Sequence, residues 1–218
     1  MSATSKARKQ MVDTQIRTMD VTSYSVLQAF SDVPREKFVP ESYRPFAYTD
    51  ASIPISDRRT MTQPMPLSRL LQLADIKADN LVMIIASGSG YTAALASRLA
   101  NTVVAVEQNE ILAAQAEKSI SGLGYDNVAV VTADLTEGVP SQGPYDVILI
   151  DGTVEDIPQS ILDQLKDGGT LVTVTGSDYT TKAVKIIRTG DHFSSVAAFE
   201  ASAPVLWQFK NEQGFHLS

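Results

Sequence analysis

The chain contains no cysteine, a single tryptophan and only two histidines. Without cysteine there are no disulfides, no thiolate metal sites and no cysteine nucleophile. The absence is also compatible with a reducing compartment. Both histidines, His192 and His216, lie far along the chain from every motif described below, so histidine-driven acid–base chemistry has little support. No apolar run approaches the ~20 residues that cross a bilayer. The N-terminus lacks the apolar core of an export signal, and a cytoplasmic protein with no membrane partner is the expectation. Positive charge is also short, with 18 Lys and Arg against 25 Asp and Glu and a net charge of -7. An acidic surface without a basic stripe argues against a nucleic-acid partner.

Hydrophobic residues make up 44% and charged residues 20% of the 218, which fits one globular domain able to bury its own core. The chain falls into three textures. Residues 1–77 carry short amphipathic segments and several prolines, residues 78–175 alternate apolar runs with helical patterns, and residues 176–218 read as C-terminal strands. In the first part, Met11, Ile16 and Met19 have near-helical spacing. A helix from Ser23 to about Phe30 is capped by Thr22 or Ser23 and limited by Pro34. Residues 51–66 read as irregular structure, and another helix follows from about Leu67 to Leu73.

The middle part predicts the architecture. Apolar runs at Leu81–Ile85, Val103–Val106, Val128–Thr132, Tyr145–Ile150 and Thr170–Val174 read as strands buried on both faces. Helical patterns at Tyr91–Leu99, Glu110–Leu123 and Pro158–Leu165 separate them. Regular alternation of this kind implies an α/β fold with a doubly wound, mostly parallel sheet. In such sheets ligands bind beyond the carboxyl ends of the strands. The residues at those ends are Ser87-Gly88-Ser89-Gly90, Glu107, Asp134 and Asp151.

Each has a chemical reading. Glycines after a buried strand allow a sharp turn and close ligand approach. A carboxylate ending the next strand, ~17 residues beyond Gly90, can accept hydrogen bonds from both hydroxyls of a ribose. Asp134 either accepts from an adenine amino group or closes a turn. The pattern points to a ligand containing adenosine, either a dinucleotide or S-adenosylmethionine.

At these residues the sequence resembles the protein-L-isoaspartate O-methyltransferases over about residues 10–175. Val33-Pro34-Arg35-Glu36-Lys37-Phe38-Val39-Pro40 is similar to a "VPRExFVP" segment. Ala47-Tyr48 with Ile53-Pro54-Ile55 is similar to "AYxDxxLPI", and Thr60-Met61-Thr62-Gln63-Pro64 to "TISQP". Gly88–Ala93 is similar to "GSGYxTA". Gly124-Tyr125-Asp126-Asn127-Val128 resembles "GYxNV", and Leu165–Gly169 resembles "LKxGG".

The resemblance implies a Rossmann-like class I methyltransferase fold and a protein-repair activity. A methyl group would pass from S-adenosylmethionine to the free α-carboxylate of L-isoaspartyl residues in proteins or peptides. It also implies that Thr62 supplies the active-site hydroxyl, and that Ser87, Gly88, Ser89, Gly90, Glu107 and Asp134 surround the cofactor.

The pattern departs from the family at two positions of the glycine motif, and also at Ala133-Asp134-Leu135, where relatives read "GDG", and at Met65-Pro66-Leu67-Ser68 after Pro64. Where relatives read "V-L-E-I-G-T-G-S-G", this chain reads Val82 to Gly90 with Ile84 for the acid and Ala86 for the first glycine. The acid helps hold the charged methionine end of the cofactor. Losing one charge-assisted hydrogen bond would weaken binding by ~1.5–3 kcal/mol. Asp151 either takes over from that acid or caps its own loop. Two further readings follow from the departures: a fold relative with weak or no cofactor binding and a regulatory role, or a methyltransferase for a small-molecule acceptor. Trp207 and Phe209, in the tail, read as packing residues.

Overall fold

The computed structural model describes residues 3–177 and 180–210. His216 therefore lies outside the described residues. The chain opens with α1 (Ala3–Met11), α2 (Tyr24–Asp32), β1 (Ile53–Ser56), β2 (Arg59–Met61) and α3 (Pro64–Ala74). The alternating part follows as β3 (Leu81–Ile85), α4 (Tyr91–Ser97), β4 (Thr102–Glu107), α5 (Glu110–Gly122) and β5 (Val128–Thr132). It continues through β6 (Tyr145–Val154), α6 (Gln159–Leu162) and β7 (Leu165–Thr175). Two antiparallel strands, β8 (Lys182–Thr189) and β9 (His192–Glu200), end the sheet.

Seven strands form one sheet in the order β5-β4-β3-β6-β7-β8-β9. Pairing is parallel from β5 to β7 and antiparallel from β7 to β9. The chain leaves β3 outward through β4 and β5, then returns to the other side of β3 as β6. That reversal is a topological switch point, and it places the crevice between the ends of β3 and β6.

Strand periodicity sorts the core into two layers. Val82, Ile84, Ala105, Val147, Leu149 and Val172 share one face with α2, α3, α4 and the buried side of α5. Met83, Ile85, Val104, Ile148, Ile150 and Leu171 share the other with Leu135, Ile161, Leu206 and Phe209. Counting on from Leu149, Asp151 belongs to the same face as Ile84, one pleat further toward the crevice.

The N-terminal spacing has a specific cause. Met11 and Ile16 are five residues apart, which an α-helix does not align, but Val12–Ile16 forms a π-helical turn and both side chains are buried. Ser23 caps α2 through its side chain, and Gln72 of α3 accepts from the backbone N–H groups of Thr22 and Ser23 at 2.8 and 2.9 Å.

Three expectations need correction. Residues 51–66 are not irregular: Ile53–Ser56 and Arg59–Met61 pair as an antiparallel hairpin with a bulge between Pro54 and Ser56, and α3 already begins at Pro64. Pro64 and Pro66 suit the first helical turn, where no N–H is needed. The helix over 158–165 shrinks to Gln159–Leu162, because Leu165 to Gly169 extend β7. The fourth strand runs past Asp151 to Val154.

Candidate active site

The glycine turn after β3 is held by backbone geometry. Ala86 has φ +62°, Gly88 +56° and Gly90 +94°. A left-handed alanine is strained by roughly 1 kcal/mol or more. The chain therefore keeps the turn that a glycine would make there, with an alanine in it. Gly90 is required for packing, since a Cβ on it would stand 3.1 Å from the Ala116 Cβ of α5. Gly88 offers its N–H to Glu107 Oε2 at 2.8 Å.

Glu107 ends β4 and is buried, with 1% of its surface exposed. Its Oε1 accepts from the Asn109 N–H at 3.0 Å, and its Oε2 lies 3.6 Å from Arg59 Nη1. The carboxylate is thus fixed beside the glycine turn with its charge opposed by one guanidinium. Each oxygen keeps a lone pair beyond its amide bond, so it can still accept from a hydroxyl.

Asp151 is the centre of a second cluster. Thr62 Oγ1 and Thr92 Oγ1 each donate to it, at 2.5 Å, one to each oxygen. The capping alternative for Asp151 therefore has no support: its partners come from α4 and from the loop before α3, not from its own loop. Burial pushes the Asp151 carboxyl above the usual carboxylate range, and the two threonine hydroxyls, Arg59 and Arg35 pull the other way. Arg35 is completely buried. It donates from Nη2 to the Thr62 carbonyl at 2.9 Å and lies 4.7 Å over the Tyr91 ring. Burial lowers the Arg35 pKa, and it raises the Tyr91 hydroxyl to about 12.

The structure therefore brings Thr62, Ser87, Gly88, Ser89, Gly90, Glu107 and Asp151 to one place above the switch point. Asp134 stands apart. It is exposed, and its Oδ1 accepts from both the amide and the hydroxyl of Thr136, at 2.8 and 2.6 Å. Those bonds hold its pKa below the usual value, and its geometry is that of a turn carboxylate.

Ile55, Arg59, Arg35 and Thr92 belong to the site and were not singled out from the sequence. Arg35 lies within the "VPRE" segment and Thr92 within the "GSGYxTA" segment, so both were legible there as motif positions. The tail also takes part. Thr153 exchanges hydrogen bonds with Pro204 and Leu206, and a Cβ on Gly152 would meet Leu206 Cγ at 2.5 Å. Gln208 then reaches Gln108, next to Glu107, at 3.4 Å. Phe209 is buried as expected, whereas Trp207 is 52% exposed instead of packed.

The donor and acceptor set fits S-adenosylmethionine. Two buried carboxylates suit a ribose and an ammonium group, and the hydroxyls of Ser87 and Ser89 are buried with no hydrogen-bond partner. Those orphaned groups ask for a polar ligand or water. Such a sheet, with a glycine turn and an acid at consecutive strand ends about its switch point, defines an S-adenosylmethionine-dependent methyltransferase of class I architecture.

Comparison with known proteins narrows the class. Residues 6–203 match the family described as protein-L-isoaspartate(D-aspartate) O-methyltransferase, and the chain belongs to that family. A protein-L-isoaspartate O-methyltransferase of Koribacter versatilis is 40% identical over 170 residues, covering 78% of this chain and 77% of that protein. One of Syntrophus aciditrophicus is 37% identical over 191 residues, 88% of each chain. A solved protein-L-isoaspartate O-methyltransferase superposes with a TM-score of 0.81 at 25% identity. It matches 91% of this chain, which spans 65% of that longer one. A Plasmodium falciparum structure under the same enzyme name, in complex with S-adenosyl-L-homocysteine, has the same fold, with a TM-score of 0.79 at 20% identity over 92% of this chain and 98% of that one. Members of the family use S-adenosylmethionine as methyl donor. No helix among the described residues is long and apolar enough to cross a membrane.

Proposed function

We propose that this chain methylates the free carboxylate of L-isoaspartyl residues in proteins and peptides, with Thr62, Asp151 and Glu107 as its principal site residues. The observation that carries the reading is the Thr62–Asp151–Thr92 cluster, which places an acid beside the glycine turn although Ile84 has removed the family's own. Asp151 projects to the same sheet face as Ile84 from the neighbouring strand, so a carboxylate returns to that side of the crevice by a different route.

The cofactor, when bound, supplies a methyl group on a positively charged sulfonium. Glu107 would accept hydrogen bonds from its ribose hydroxyls, and Asp151 from its ammonium group. Gly88 and Gly90 shape the turn, while Ser87 and Ser89 have hydroxyls free to bond. Asp134 would meet only an adenine edge that reaches the surface.

A carboxylate is already nucleophilic at neutral pH, so the protein's task is orientation and exclusion of water. Thr62 suits that task. Its single hydroxyl hydrogen is held by Asp151, with Thr92 holding the other oxygen. When a substrate carboxylate arrives, Thr62 can turn its hydrogen to it, and Asp151 keeps the Thr92 bond. Arg35 fixes the Thr62 backbone by its carbonyl, so the hydroxyl turns on a rigid base. No proton has to leave the site during transfer.

The test is transfer of labelled methyl to a peptide containing L-isoaspartate and to the same peptide containing aspartate. Label is expected as a base-labile ester on the first peptide alone. The Thr62→Val variant, which removes the hydroxyl and keeps the shape, is expected to lose about ten- to a hundredfold in kcat/KM. Equal labelling of both peptides, or labelling only of a small metabolite, would instead favour another acceptor.

A further inference from the structure

We infer that the β1–β2 hairpin is a self-occluding latch on the nucleoside crevice, and that cofactor enters by displacing Arg59 and Ile55. This rests on the reading of the crevice given above.

The glycine turn is bare on the side where a ligand's approach requires it, but that side is filled by the protein itself. Ile55 Cδ1 lies 2.7 Å from where a Cβ on Gly88 would stand, and Arg59 Nη2 lies 3.8 Å from the same point. Arg59 donates from Nη2 to the Ala86 carbonyl at 2.8 Å and sets Nη1 3.6 Å from Glu107 Oε2. Only 8% of Arg59 is exposed. The guanidinium therefore lies across the turn and against the carboxylate that the ribose needs. Ribose and Arg59 compete for the same space beside that carboxylate.

Three features make this closure reversible. The hairpin is its own two-stranded sheet and shares no strand pairing with the seven-stranded one, so moving it breaks no ladder there. A hairpin of two short strands is only marginally stable by itself. Arg59 is also poorly satisfied where it lies: Nε and Nη1 are buried with no hydrogen-bond partner. Turned outward to join the exposed Asp57 and Arg58 at the tip, it would recover water on both. The hydroxyls of Ser87 and Ser89, orphaned in the closed arrangement, would gain a ligand at the same time.

A site that is mostly closed binds with an affinity reduced by the fraction that is open. Removing the latch should therefore tighten binding, whereas removing a cofactor-gripping arginine should weaken it. The sign of the effect separates the two roles.

Calorimetric titration of S-adenosylhomocysteine into the wild-type chain and into Arg59→Gln tests it. The variant is expected to bind about tenfold tighter, as it would if closed molecules outnumber open ones by about ten to one. Equal or weaker binding by the variant overturns the latch and leaves the proposed function standing. Absence of binding by both overturns the cofactor reading together with the latch. Hydrogen exchange in the wild-type chain gives a second measure that does not depend on the variant's folding. Amides of residues 56–61 are expected to exchange faster when S-adenosylhomocysteine saturates the site, although bound ligands ordinarily slow exchange. Slower or unchanged exchange there overturns the latch.

Discussion

Replacing Asp151 by asparagine is expected to make the protein harder to unfold at neutral pH while lowering kcat/KM for methyl transfer about ten- to a hundredfold. The two effects have one cause. Asp151 is buried, and burial raises its pKa in the folded chain above the ordinary 3.8. Below that ordinary value the carboxyl is neutral in both states and costs the fold nothing. As pH rises from that ordinary value toward the raised folded one, the unfolded chain ionises first and the native state loses stability. Asparagine keeps the shape and can still bond both threonine hydroxyls, but it carries no charge to bury. Its advantage is expected to be on the order of 1 kcal/mol, or ~2–4 °C in Tm for a chain of this size.

The gain should shrink as pH falls toward the ordinary carboxylate range. Thermal unfolding of both proteins from about pH 4 to about pH 8 checks it. A variant less stable than wild type at neutral pH would mean that Arg35, Arg59 and the threonines more than compensate the charge. The loss of activity follows from the loss of a charge-assisted acceptor for the cofactor's ammonium group, worth ~1.5–3 kcal/mol.

Ile84→Glu, which restores the family's acid at its usual position, is expected to destabilise the chain by about 3–5 kcal/mol or to prevent folding. Ile84 has no exposed surface and packs in the core layer between Ala105 of β4 and Leu149 of β6. A carboxylate there would carry its charge into a core that has closed over the position. Ala86→Gly should behave in the opposite way. Its backbone is already left-handed at φ +62°, so glycine removes strain and its cost in unfolded-chain entropy is similar in size. It is expected to stay within about 1 kcal/mol of wild type. Denaturant unfolding of the two single variants reads both. A tolerated Ile84→Glu with restored or improved cofactor binding would show that the older acid position is still usable and that Asp151 is not its replacement.

The parallel strands were legible because each is an apolar run bounded by a turn signal. The crevice was legible because its residues close those runs. Ser87–Gly90, Glu107 and Asp151 all fall at or near strand ends, and topology alone brings them together. Asp151 was read with two roles open, and its partners speak against the loop cap. Those partners, Thr62 and Thr92, lie 89 and 59 residues away along the chain, and no local pattern pairs them.

The hairpin was missed for a different reason. β1 and β2 have four and three residues, contain Pro54 and a bulge, and show too little alternation to register as strands. Arg59 consequently read as one more charge in a polar turn, although it is the cation that meets Glu107. Asp134 shows the converse. It ends an apolar run as the others do, but Thr136, two residues on, supplies both a hydroxyl and an amide to it. An Asx turn of this kind is visible in sequence as Asp-x-Thr.

The proposed nucleoside site turns on Glu107. Initial rates of isoaspartyl-peptide methylation, measured against S-adenosylmethionine concentration for wild type and Glu107→Gln, test it most directly. The KM for the cofactor is expected to rise about ten- to a hundredfold, from the lost bonds between a carboxylate and two hydroxyls, with kcat changed far less. An unchanged KM would contradict the assignment, because a ribose would then be bound without the carboxylate that accepts from the Gly88 N–H.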